Sequence, residues 1–327
     1  MHPYLLLYKT LLPSKYRHYM QLAGGNADKC HETLLYGTFY EEYDLYGFDT
    51  KSNAERREYL TDAVRDRICH RVNSRKGERI VANKWKTYQL WNDFYHRKVW
   101  LIRCPQDMES LSHQTLGNDD LVVKPIDQCG GRGVRLIRAA DNNTTLTLLK
   151  QTMMRRGRME QPWIVEERIE QEESLAQWNN DSVNTIRMNT FNHGGNVRQF
   201  TSFIRTGRKG SFVDNGAQGG LFASIDTDTG IIYTDGFDER GQHYPVHPDS
   251  HIPFRGQQIP QWDTLLKLTM DMARRLPDMT YIGWDMALTP LGWVLVEANR
   301  GEFVAQQVTQ GHGLRRAFEQ VCGLRKE

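Results

Sequence analysis

The sequence predicts an α+β protein, with a mainly helical N-terminal region followed by two α+β lobes. Three observations lead to this fold class. Apolar residues recur at helical spacing in the first 80 residues, apolar runs joined by glycine-containing turns fill the middle of the chain, and an amphipathic helix precedes a last hairpin. A chain of 327 residues is long enough for two or three lobes. We expect a helical region at 1–80, a first lobe at 81–163 and a second lobe at 164–327.

Helical patterns account for the N-terminal region. Met1–Leu12 is apolar and is not followed by the small residues of a signal-peptide cleavage site, so we interpret it as the first core helix, with a weakly interfacial helix as the alternative. A helix is predicted from Ser52 to about Asn73, because Ser52 and Glu55 match a capping box and apolar residues follow at intervals of four. The aromatic stretch 36–48 is typical of core or interlobe packing.

Strands and helices alternate after residue 80. The predicted strands share short apolar runs: Val99–Ile102, Leu121–Pro125, Val134–Ile137, Trp163–Ile169, Arg187–Phe191 and Val197–Arg205. A further hairpin is predicted at 225–233, turning at 228–230. The predicted helices share a helical apolar period: Asn83 to about Arg97, Asp107–Thr115 (a helix or a loop), Thr144–Arg156, 172–179 and Asp263–Arg275.

Composition excludes several classes of protein. The 42 basic and 40 acidic residues give a net charge of +2, which provides no global attraction to nucleic acid or membrane. The five cysteines are odd in number and have no C-x-x-C spacing, which is typical of reduced thiols in a cytoplasmic protein. The sequence has no apolar run of 18 residues, so we expect no transmembrane helix.

Two carboxylates and an amide are predicted to meet in the hairpin at 281–299. Asp285 lies in one apolar run and Glu297 and Asn299 in the next, with Pro290-Leu291-Gly292 as the turn. Residues two apart share a face of a strand, so Glu297 and Asn299 point the same way and Asp285 can lie opposite them. Such oxygen ligands suit Mg²⁺ held together with substrate phosphates. The alternative is a surface hairpin with solvated acids, which the apolar flanks disfavour.

A lysine and a glycine-rich turn form a phosphate-binding pattern. Lys124 ends an apolar strand, and the turn that follows contains Gly130, Gly131 and Gly133. Glycines let backbone N–H groups approach phosphate oxygens closely. The turn lacks the Gly-Lys-Ser/Thr of a Walker loop and does not open a helix as a dinucleotide fingerprint does. An ordinary hairpin and a solvated surface lysine are the alternatives, and the hairpin at 281–299 favours the phosphate site.

The order of these motifs resembles the ATP-grasp superfamily. The segments that carry this resemblance are the phosphate-site strand and Gly turn, an acidic strand and the two metal-site strands: Val122–Pro125, 127–134, Trp163–Ile169, Asp285–Leu288 and Val294–Asn299. Other segments are similar to the sugar-transfer-associated branch, which is related to enzymes of teichuronopeptide biosynthesis: Asn184–Met188, Arg205–Gly207, Val213–Asn215, Gly219-Gly220, His247-Pro248 and Gly283–Asp285. The resemblance covers roughly residues 80 to 315. It implies an ATP-grasp fold in which the two lobes clasp ATP.

The resemblance also implies roles around the nucleotide. Lys84 stands, after an N-cap asparagine, where related families place a lysine, whereas Tyr88 occupies the position of a further phosphate lysine in D-alanine–D-alanine ligases. Arg187 matches a phosphate-site arginine, and its place in a strand would make an unpaired guanidinium costly. The adenine is expected between the lobes, against the backbone of the strand that includes Glu167 and Ile169.

Acids of the same region are assigned by resemblance as well. Glu166 matches the acid near the exocyclic amine of adenine, and Glu173 matches the acid that binds the ribose hydroxyls, with Glu172 as the alternative. A solvated acidic face is the other interpretation for each. The acids of the 281–299 hairpin would hold Mg²⁺ ions that bridge the β- and γ-phosphates.

Acceptor-site candidates come from the branch-specific segments. Arg205 and Asn215 are candidates for holding a substrate carboxylate or the tetrahedral intermediate, because a cation beside an attacked acyl group stabilises the oxyanion. Arg300–Phe303 and Gln306-Gln307 face the reacting centre in the fold that the chain resembles. His247 is either a base or a structural loop contact, and we favour the structural contact.

The resemblance implies an ATP-dependent carboxylate–amine ligase that forms an amide through an acyl phosphate. The expected substrates are a small-molecule carboxylate, such as a sugar acid, an amino acid or a related biosynthetic precursor, and an amine. No serine or cysteine in a triad-like setting is evident, and this chemistry needs none. The alternatives are a small-molecule or sugar kinase and a non-catalytic nucleotide-binding subunit of a polysaccharide-assembly complex. Related ligases are often dimers, which makes a homodimer one expectation.

Overall fold

The computed structural model describes residues 3–113, 120–128, 130–138, 141–155, 157–214, 216 and 219–325. Within this part, helices dominate the N-terminal region and two larger antiparallel sheets follow. The predicted α+β class with a helical N-terminal region is confirmed. None of the described helices is long and apolar enough to cross a membrane.

Helices and strands are numbered here in chain order. The helices are α1 Pro3–Leu11, α2 Pro13–Leu22, α3 Ala27–Tyr36, α4 Tyr40–Leu45, α5 Asn53–Arg57, α6 Asp62–Val72, α7 Arg75–Val81, α8 Lys84–Trp91, α9 Pro105–His113, α10 Asn142–Met153, α11 Glu173–Ala176, α12 Trp262–Arg274, α13 Val304–Gln310 and α14 Arg315–Val321. The strands are β1 Val99–Ile102, β2 Leu121–Pro125, β3 Arg135–Ile137, β4 Met154–Arg155, β5 Arg158–Met159, β6 Trp163–Glu167, β7 Thr185–His193, β8 Asn196–Thr206, β9 Leu221–Ile225, β10 Gly236–Phe237, β11 His243–Tyr244, β12 Tyr281–Thr289 and β13 Gly292–Asn299.

The first helix is not a core helix. Of the residues in α1, Leu5 is buried, whereas Leu6, Leu7 and Leu11 are 56%, 47% and 66% exposed. The prediction that Met1–Leu12 forms the first core helix is therefore wrong, because apolar composition alone does not show what a helix packs against.

The helix predicted from Ser52 to Asn73 is interrupted. Its start is confirmed, since Ser52 and Glu55 form the capping box. The chain then leaves the helix between α5 and α6, where the Gln307 amide accepts a hydrogen bond from the Leu60 N–H (2.7 Å) and donates one to the Leu60 carbonyl (3.0 Å). A distant side chain thus satisfies the backbone groups that a continuous helix would have used.

A cluster of aromatic side chains joins the helical region to the C-terminal part. Tyr43, Tyr46, Phe48 and Tyr59 are buried together, and side chains of α13 pack against them. The expectation that the aromatic stretch 36–48 is packing is confirmed for these residues. Burial of large aromatic surfaces is a major stabilising contribution in small cores.

The smaller sheet has the strand order β1-β6-β2-β3 and is antiparallel throughout. Its acidic strand β6 lies between β1 and β2, and the glycine-rich turn joins β2 to β3. Apolar residues of α9 and α10 cover the sheet. The domain division at 80/81 and 163/164 stays a prediction. Its second boundary falls within β6, and this strand is paired with β1 and β2 of the smaller sheet.

The larger sheet has the order β11-β10-β9-β8-β7-β12-β13. One face is apolar and packs on α8 and α12, where Trp91 and Trp284 meet edge to face at 5.0 Å. Alternation along the strands sends polar and charged residues of β7, β8, β12 and β13 to the opposite face. The predicted β7–β8 hairpin is confirmed, with Gly194 and Gly195 at φ 59° and 87° in the turn.

The predicted hairpin at 225–233 is confirmed only as a turn. Asp226 Oδ1 accepts hydrogen bonds from the N–H groups of Asp228 (3.1 Å) and Thr229 (2.8 Å). The second arm pairs through the single bridge between Ile225 and Ile232 rather than as a strand.

Glu42 makes the stability of the helical region depend on pH. Its buried carboxylate accepts hydrogen bonds from the Phe39 N–H (3.0 Å) and the Asp62 N–H (2.6 Å). Burial raises the pKa of Glu42 from 4.5 to about 7, although the two N–H donors oppose the shift. The folded state therefore binds this proton more tightly than the unfolded state, and the stabilisation is complete below pH 4.5 and lost as the pH rises through about 7.

We predict that the Glu42→Gln variant loses this pH dependence. Through this group the free energy of unfolding of the wild type should fall by about 2–3 kcal/mol as the pH rises from 4.5 to neutral, and the variant should lack this component. Urea unfolding across the pH range measures both. Glu41→Gln, at the exposed neighbouring position, is the control and should keep the wild-type profile. An unchanged slope in Glu42→Gln would contradict the assignment.

Candidate functional site

Strand register brings a row of charged side chains together on one face of the larger sheet. Asp285 on β12 is the cross-strand partner of Arg187 on β7 and of Glu297 on β13. Arg205 on β8 pairs with Thr185 on β7. Cross-strand partners point to the same face, so these five residues form one polar row.

Asp285 is the centre of this row. Its carboxylate is 4% exposed and receives two hydrogen bonds from the Arg187 guanidinium, of which the Nη2–Oδ2 contact is 3.0 Å. Arg205 Nη2 lies 2.9 Å from the same Oδ2. Burial raises the pKa of Asp285, but the charges of Arg187 and Arg205 outweigh burial and hold it below its ordinary value. The carboxylate is therefore ionised and compensates two cations.

Asp214 contacts this row, a role that the sequence segment Val213–Asn215 did not reveal. Its Oδ2 accepts hydrogen bonds from the N–H (3.1 Å) and hydroxyl of Thr185 and lies 3.7 Å from Arg205 Nε. The Thr185 hydroxyl oxygen also accepts from Arg205 Nε (3.1 Å) and Nη2 (2.9 Å). Thr185 and Asp214 thus fix the Arg205 guanidinium. The neighbouring Asn215, a predicted catalytic residue, lies outside the described residues.

The three predicted metal ligands lie together. Asp285 faces Glu297 across the β12–β13 hairpin, and Asn299 Nδ2 is 3.4 Å from Asp285 Oδ2. Asn299 Oδ1 accepts a hydrogen bond of 2.7 Å from the Gly301 N–H. Glu297, whose side chain is 29% exposed, is the most accessible of the three ligands. A register shift between Asp285 and Met286 marks a bulge beside the pair.

The donor chemistry of this set fits Mg²⁺. No group of three or more His, Cys, Asp and Glu residues placed for a metal occurs in the described part of the chain. The set is instead two carboxylates and an amide oxygen, and Mg²⁺ in proteins is commonly held by one or two carboxylates together with waters and substrate phosphates. Arg187, Arg205 and Lys84 offset the charges of Asp285, Asp214 and Glu297, so the site as a whole is close to neutral.

Lys84 connects the two hairpins. It begins α8 after the N-cap Asn83, as predicted, and its backbone N–H donates to the Ile126 carbonyl (2.9 Å). Its ammonium group donates to the Gln128 carbonyl in the glycine-rich turn and lies 3.3 Å from Glu297 Oε1. A phosphate placed between the turn and the hairpin would therefore meet this cation.

Lys124 and Glu166 form a buried ion pair with a third partner, Arg97. Lys124 contacts one Glu166 oxygen, and the other oxygen accepts from Arg97 Nε (3.0 Å) and Nη2 (2.8 Å). Burial raises the pKa of Glu166, but the two cations outweigh it and hold the pKa below its ordinary value. Arg97 also donates to the Leu295 carbonyl (2.9 Å), which ties the smaller sheet to β13. No local sequence motif marks Arg97.

The remaining adenine-strand candidates differ in their contacts. Glu167 is paired with Lys98 through its carboxylate (3.2 Å to Nζ) and through its N–H, which donates to the Lys98 carbonyl. Ile169 follows the end of β6 and is half-buried. Glu172 caps α11 by accepting from the Ser174 N–H (2.9 Å), whereas Glu173 is exposed. Glu172 and Glu173 are the two alternatives for the ribose contact. The carboxylate of Glu172 is used as a helix cap, whereas that of Glu173 is not.

The remaining sequence predictions concern the glycines of the turn after β2 and the residue Tyr88. Gly130, Gly131 and Gly133 all have positive φ (69°, 67° and 74°), a conformation that favours glycine. A Cβ on Gly133 would lie 2.7 Å from Pro125 Cγ. Tyr88, at the position of the further lysine, packs edge to face on Tyr95 at 5.1 Å and so belongs to an aromatic contact.

His247 is a structural loop residue, as we favoured. Its Nε2–H donates to the Gly207 carbonyl (3.1 Å), and Nδ1 accepts from the N–H groups of Asp249 (3.4 Å) and Ser250 (3.3 Å). Burial is the main cause that lowers its pKa. The ring is fully buried and both nitrogens are used, so it does not face the charged row as a base.

Comparison with known proteins places these observations in a family. The sugar-transfer associated ATP-grasp family matches residues 63–323. A comparison with curated proteins found no match. Similar solved structures include D-alanyl-alanine synthetase A from Vibrio cholerae (TM-score 0.47, 10% identity, 77% of this chain and 66% of that chain). VanG D-Ala:D-Ser ligase from Enterococcus faecalis has a TM-score of 0.49 at 12% identity, covering 77% of this chain and 64% of that one.

A third similar structure is phosphoribosylamine–glycine ligase from Thermotoga maritima, with a TM-score of 0.49 and 12% identity over 78% of this chain and 57% of that chain. The chain thus spans 57–66% of the length of these three proteins. The family match covers well over half of the chain, so the chain belongs to the sugar-transfer associated ATP-grasp family. The ATP-grasp fold implied by the motif order is thereby confirmed.

We predict that Asp285→Asn strongly destabilises the fold, because it leaves the buried Arg187 and Arg205 without their shared counter-charge. The expected loss is about 3–5 kcal/mol in the free energy of unfolding, measured by urea titration. Glu297→Gln is the matched control. Its carboxylate is partly exposed and pairs only with Lys84 among the described residues, so a loss below about 1 kcal/mol is expected. Similar losses in the two variants would contradict the central role of Asp285.

We predict that Gly283→Ala disturbs the predicted metal site and also lowers the stability of the fold. The added Cβ would lie 2.6 Å from Asn299 Oδ1 and 2.7 Å from the Gly301 Cα, so Asn299 must shift. The increase in melting temperature caused by Mg·ATP should shrink relative to that caused by ATP with EDTA. Gly77→Ala is the control for crowding at a buried glycine away from the site, since its Cβ would lie 2.4 Å from Cγ of the buried Met279. An unaltered Mg²⁺ effect in Gly283→Ala would count against Asn299 as a ligand.

Proposed function

We propose that this member of the sugar-transfer associated ATP-grasp family is an ATP-dependent carboxylate–amine ligase that forms an amide through an acyl phosphate. We propose a sugar acid, an amino acid or a related biosynthetic precursor as the carboxylate. The observation that carries the proposal is the charged row in which Asp285 lies between Arg187 and Arg205 and beside Glu297. It combines oxygen ligands for a metal with fixed cations for more than one anionic group.

ATP is proposed to bind between the two sheets. Lys124, Lys84 and the N–H groups of the glycine-rich turn are the phosphate contacts. Lys124 is suited to this role because its partner Glu166 keeps two hydrogen bonds from Arg97 if the lysine turns toward a phosphate. The exchange therefore leaves no buried carboxylate unpaired, which would otherwise be costly. Glu167, Ile169 and Glu173 remain the proposed adenine and ribose contacts.

Mg²⁺ would be held by Asp285, Glu297 and Asn299, and it would supply neutralising charge at the β- and γ-phosphates. Arg187 and Arg205 offset the charge of Asp285 in the same row. The proposed consequence is a site that binds a metal–nucleotide complex rather than a bare divalent cation.

The reaction proceeds in two displacements. A carboxylate oxygen of the substrate attacks the γ-phosphorus, the bond to the β-phosphate oxygen breaks, and ADP leaves an acyl phosphate. The amine lone pair then attacks the acyl carbon, the carbon–oxygen bond to phosphate breaks, and the proton released from the amine passes to the departing phosphate. We propose Arg205, held by Thr185 and Asp214, as the cation that holds the carboxylate and then the oxyanion, with Arg187 on the phosphate side. Asn215 stays a proposed partner in this step.

The arrangement favours a ligase over a kinase. A carboxylate is already a nucleophile at neutral pH, whereas a hydroxyl acceptor benefits from a general base. His247 has both ring nitrogens engaged in its loop, and Asp214 accepts hydrogen bonds from Thr185. His247 therefore does not face the row, and the Asp214 carboxylate, which contacts the row, is held by Thr185 and Arg205. We also propose a cytoplasmic location, in keeping with the unpaired thiols of Cys30, Cys69, Cys104 and Cys322.

The proposal is tested by product formation from Mg·ATP with a panel of uronic acids and amino acids, paired with amines. We expect ADP and phosphate only when both an acid and an amine are present, together with a new amide by mass spectrometry. Glu297→Gln is the blank, because it removes a proposed metal ligand with little expected effect on folding. A phosphorylated hydroxyl compound formed without amine would establish a kinase instead, and ATP binding without turnover over the whole panel would overturn the ligase.

A further inference from the structure

The helical hairpin α1–α2 presents an apolar surface that the rest of the protein does not cover. We name this surface the N-terminal patch and define it by five exposed leucines and three basic residues: Leu6, Leu7, Leu11, Leu12, Leu22, Lys9, Lys15 and Arg17. The leucines are 39–66% exposed. Of the eight leucines that are exposed among the described residues, five lie here. Solvent exposure of aliphatic side chains in such a group marks an interaction surface.

The charge of the N-terminal patch differs from that of the rest of the chain. Lys9, Lys15 and Arg17 are its basic residues, and the first acidic residue of the sequence is Asp28. Three of the 42 basic residues and none of the 40 acidic residues thus fall in this segment, which leaves 39 against 40 elsewhere. The segment therefore carries a local charge of +3, whereas the remainder is close to neutral. The net charge of the whole chain therefore does not show the basic character of this segment.

We propose that the N-terminal patch docks the protein onto the surface of a bilayer that contains anionic lipids. Exposed leucines of surface helices bury in the boundary between headgroups and acyl chains, while basic side chains remain at the level of anionic headgroups. Lys9, Lys15 and Arg17 have the long stems that allow this arrangement. The helices are 9 and 10 residues long, so they would lie on the bilayer rather than span it.

The same charges argue against a second copy of the chain as the occupant. A symmetric contact through this patch would bring two +3 surfaces together, and like charges close to each other oppose association. An anionic lipid surface instead neutralises them. The local attraction also explains why the overall charge of +2 is uninformative, because an interfacial helix responds to its own charge and not to that of the whole chain.

The test is co-sedimentation of the full-length protein with vesicles of phosphatidylcholine alone or mixed with phosphatidylglycerol, at low and high salt. We expect binding to the mixed vesicles, weakening with salt, and binding at least about tenfold weaker to phosphatidylcholine alone. Two variants separate the contributions. Lys9→Gln/Lys15→Gln/Arg17→Gln should lose the preference for anionic lipid, and Leu7→Ser/Leu11→Ser should bind weakly to both vesicle types. Far-UV circular dichroism and the melting temperature confirm that each variant is folded.

Matched variants elsewhere on the surface control for charge and apolar content. Arg138→Gln/Lys267→Gln/Arg274→Gln removes three positive charges from side chains that are 72%, 79% and 52% exposed, and Leu148→Ser/Leu291→Ser removes two exposed leucines. Both should bind as the wild type does. Equal binding to neutral vesicles, no binding to mixed vesicles, or an equal loss in the control variants would overturn the proposal. A dimer in solution that Leu7→Ser/Leu11→Ser dissociates would assign the patch to a second copy and would also overturn it.

Discussion

The compensation of buried charge at Asp285 is the constraint on which the larger sheet depends. Two guanidinium groups and one carboxylate lie in a strand row that water hardly reaches, and each would be costly alone. The row holds β7, β8 and β12 in register through side chains as well as through the backbone. It also explains how the proposed metal ligand Asp285 and the cations Arg187 and Arg205 can occur on adjacent strands: each is tolerable in the interior only because the others are there.

The same principle applies, in a looser form, where the smaller sheet meets β13. Glu166 has two cationic partners and needs only one of them to stay compensated, so Lys124 can be shared with a phosphate. Lys84 is shared between a backbone carbonyl and Glu297. Asp285 also has two cationic partners, but Arg187 is buried and has no other carboxylate partner among the described residues, so this pair cannot be exchanged. We infer that the nucleotide side of the site is built from exchangeable ion pairs, whereas the centre of the row is fixed.

The sequence predicted the sheet better than the helices. Strand alternation and glycine turns are local signals, so the β12–β13 hairpin and the meeting of Asp285, Glu297 and Asn299 could be predicted. The break near Leu60 was not predicted, since the Gln307 side chain that bonds to its backbone comes from the other end of the chain. Arg97 likewise has no sequence motif, because its partners are distant in the sequence. The resemblance placed Glu166 at the adenine but did not reveal the ion pairs of Glu166. Exposure of α1 depends on what packs against it, which composition does not encode.

The contact between Leu60 and Gln307 has a consequence for the order of folding. The Gln307 amide uses both its oxygen and its nitrogen on the Leu60 backbone, and it also bonds to the Leu314 N–H and the Tyr46 hydroxyl. These partners are up to 261 residues apart in sequence. Contacts of such long range form late, since loop closure must precede them. During synthesis, the junction between α5 and α6 therefore waits, incompletely bonded, until α13 has left the ribosome, and the two ends of the chain mature together.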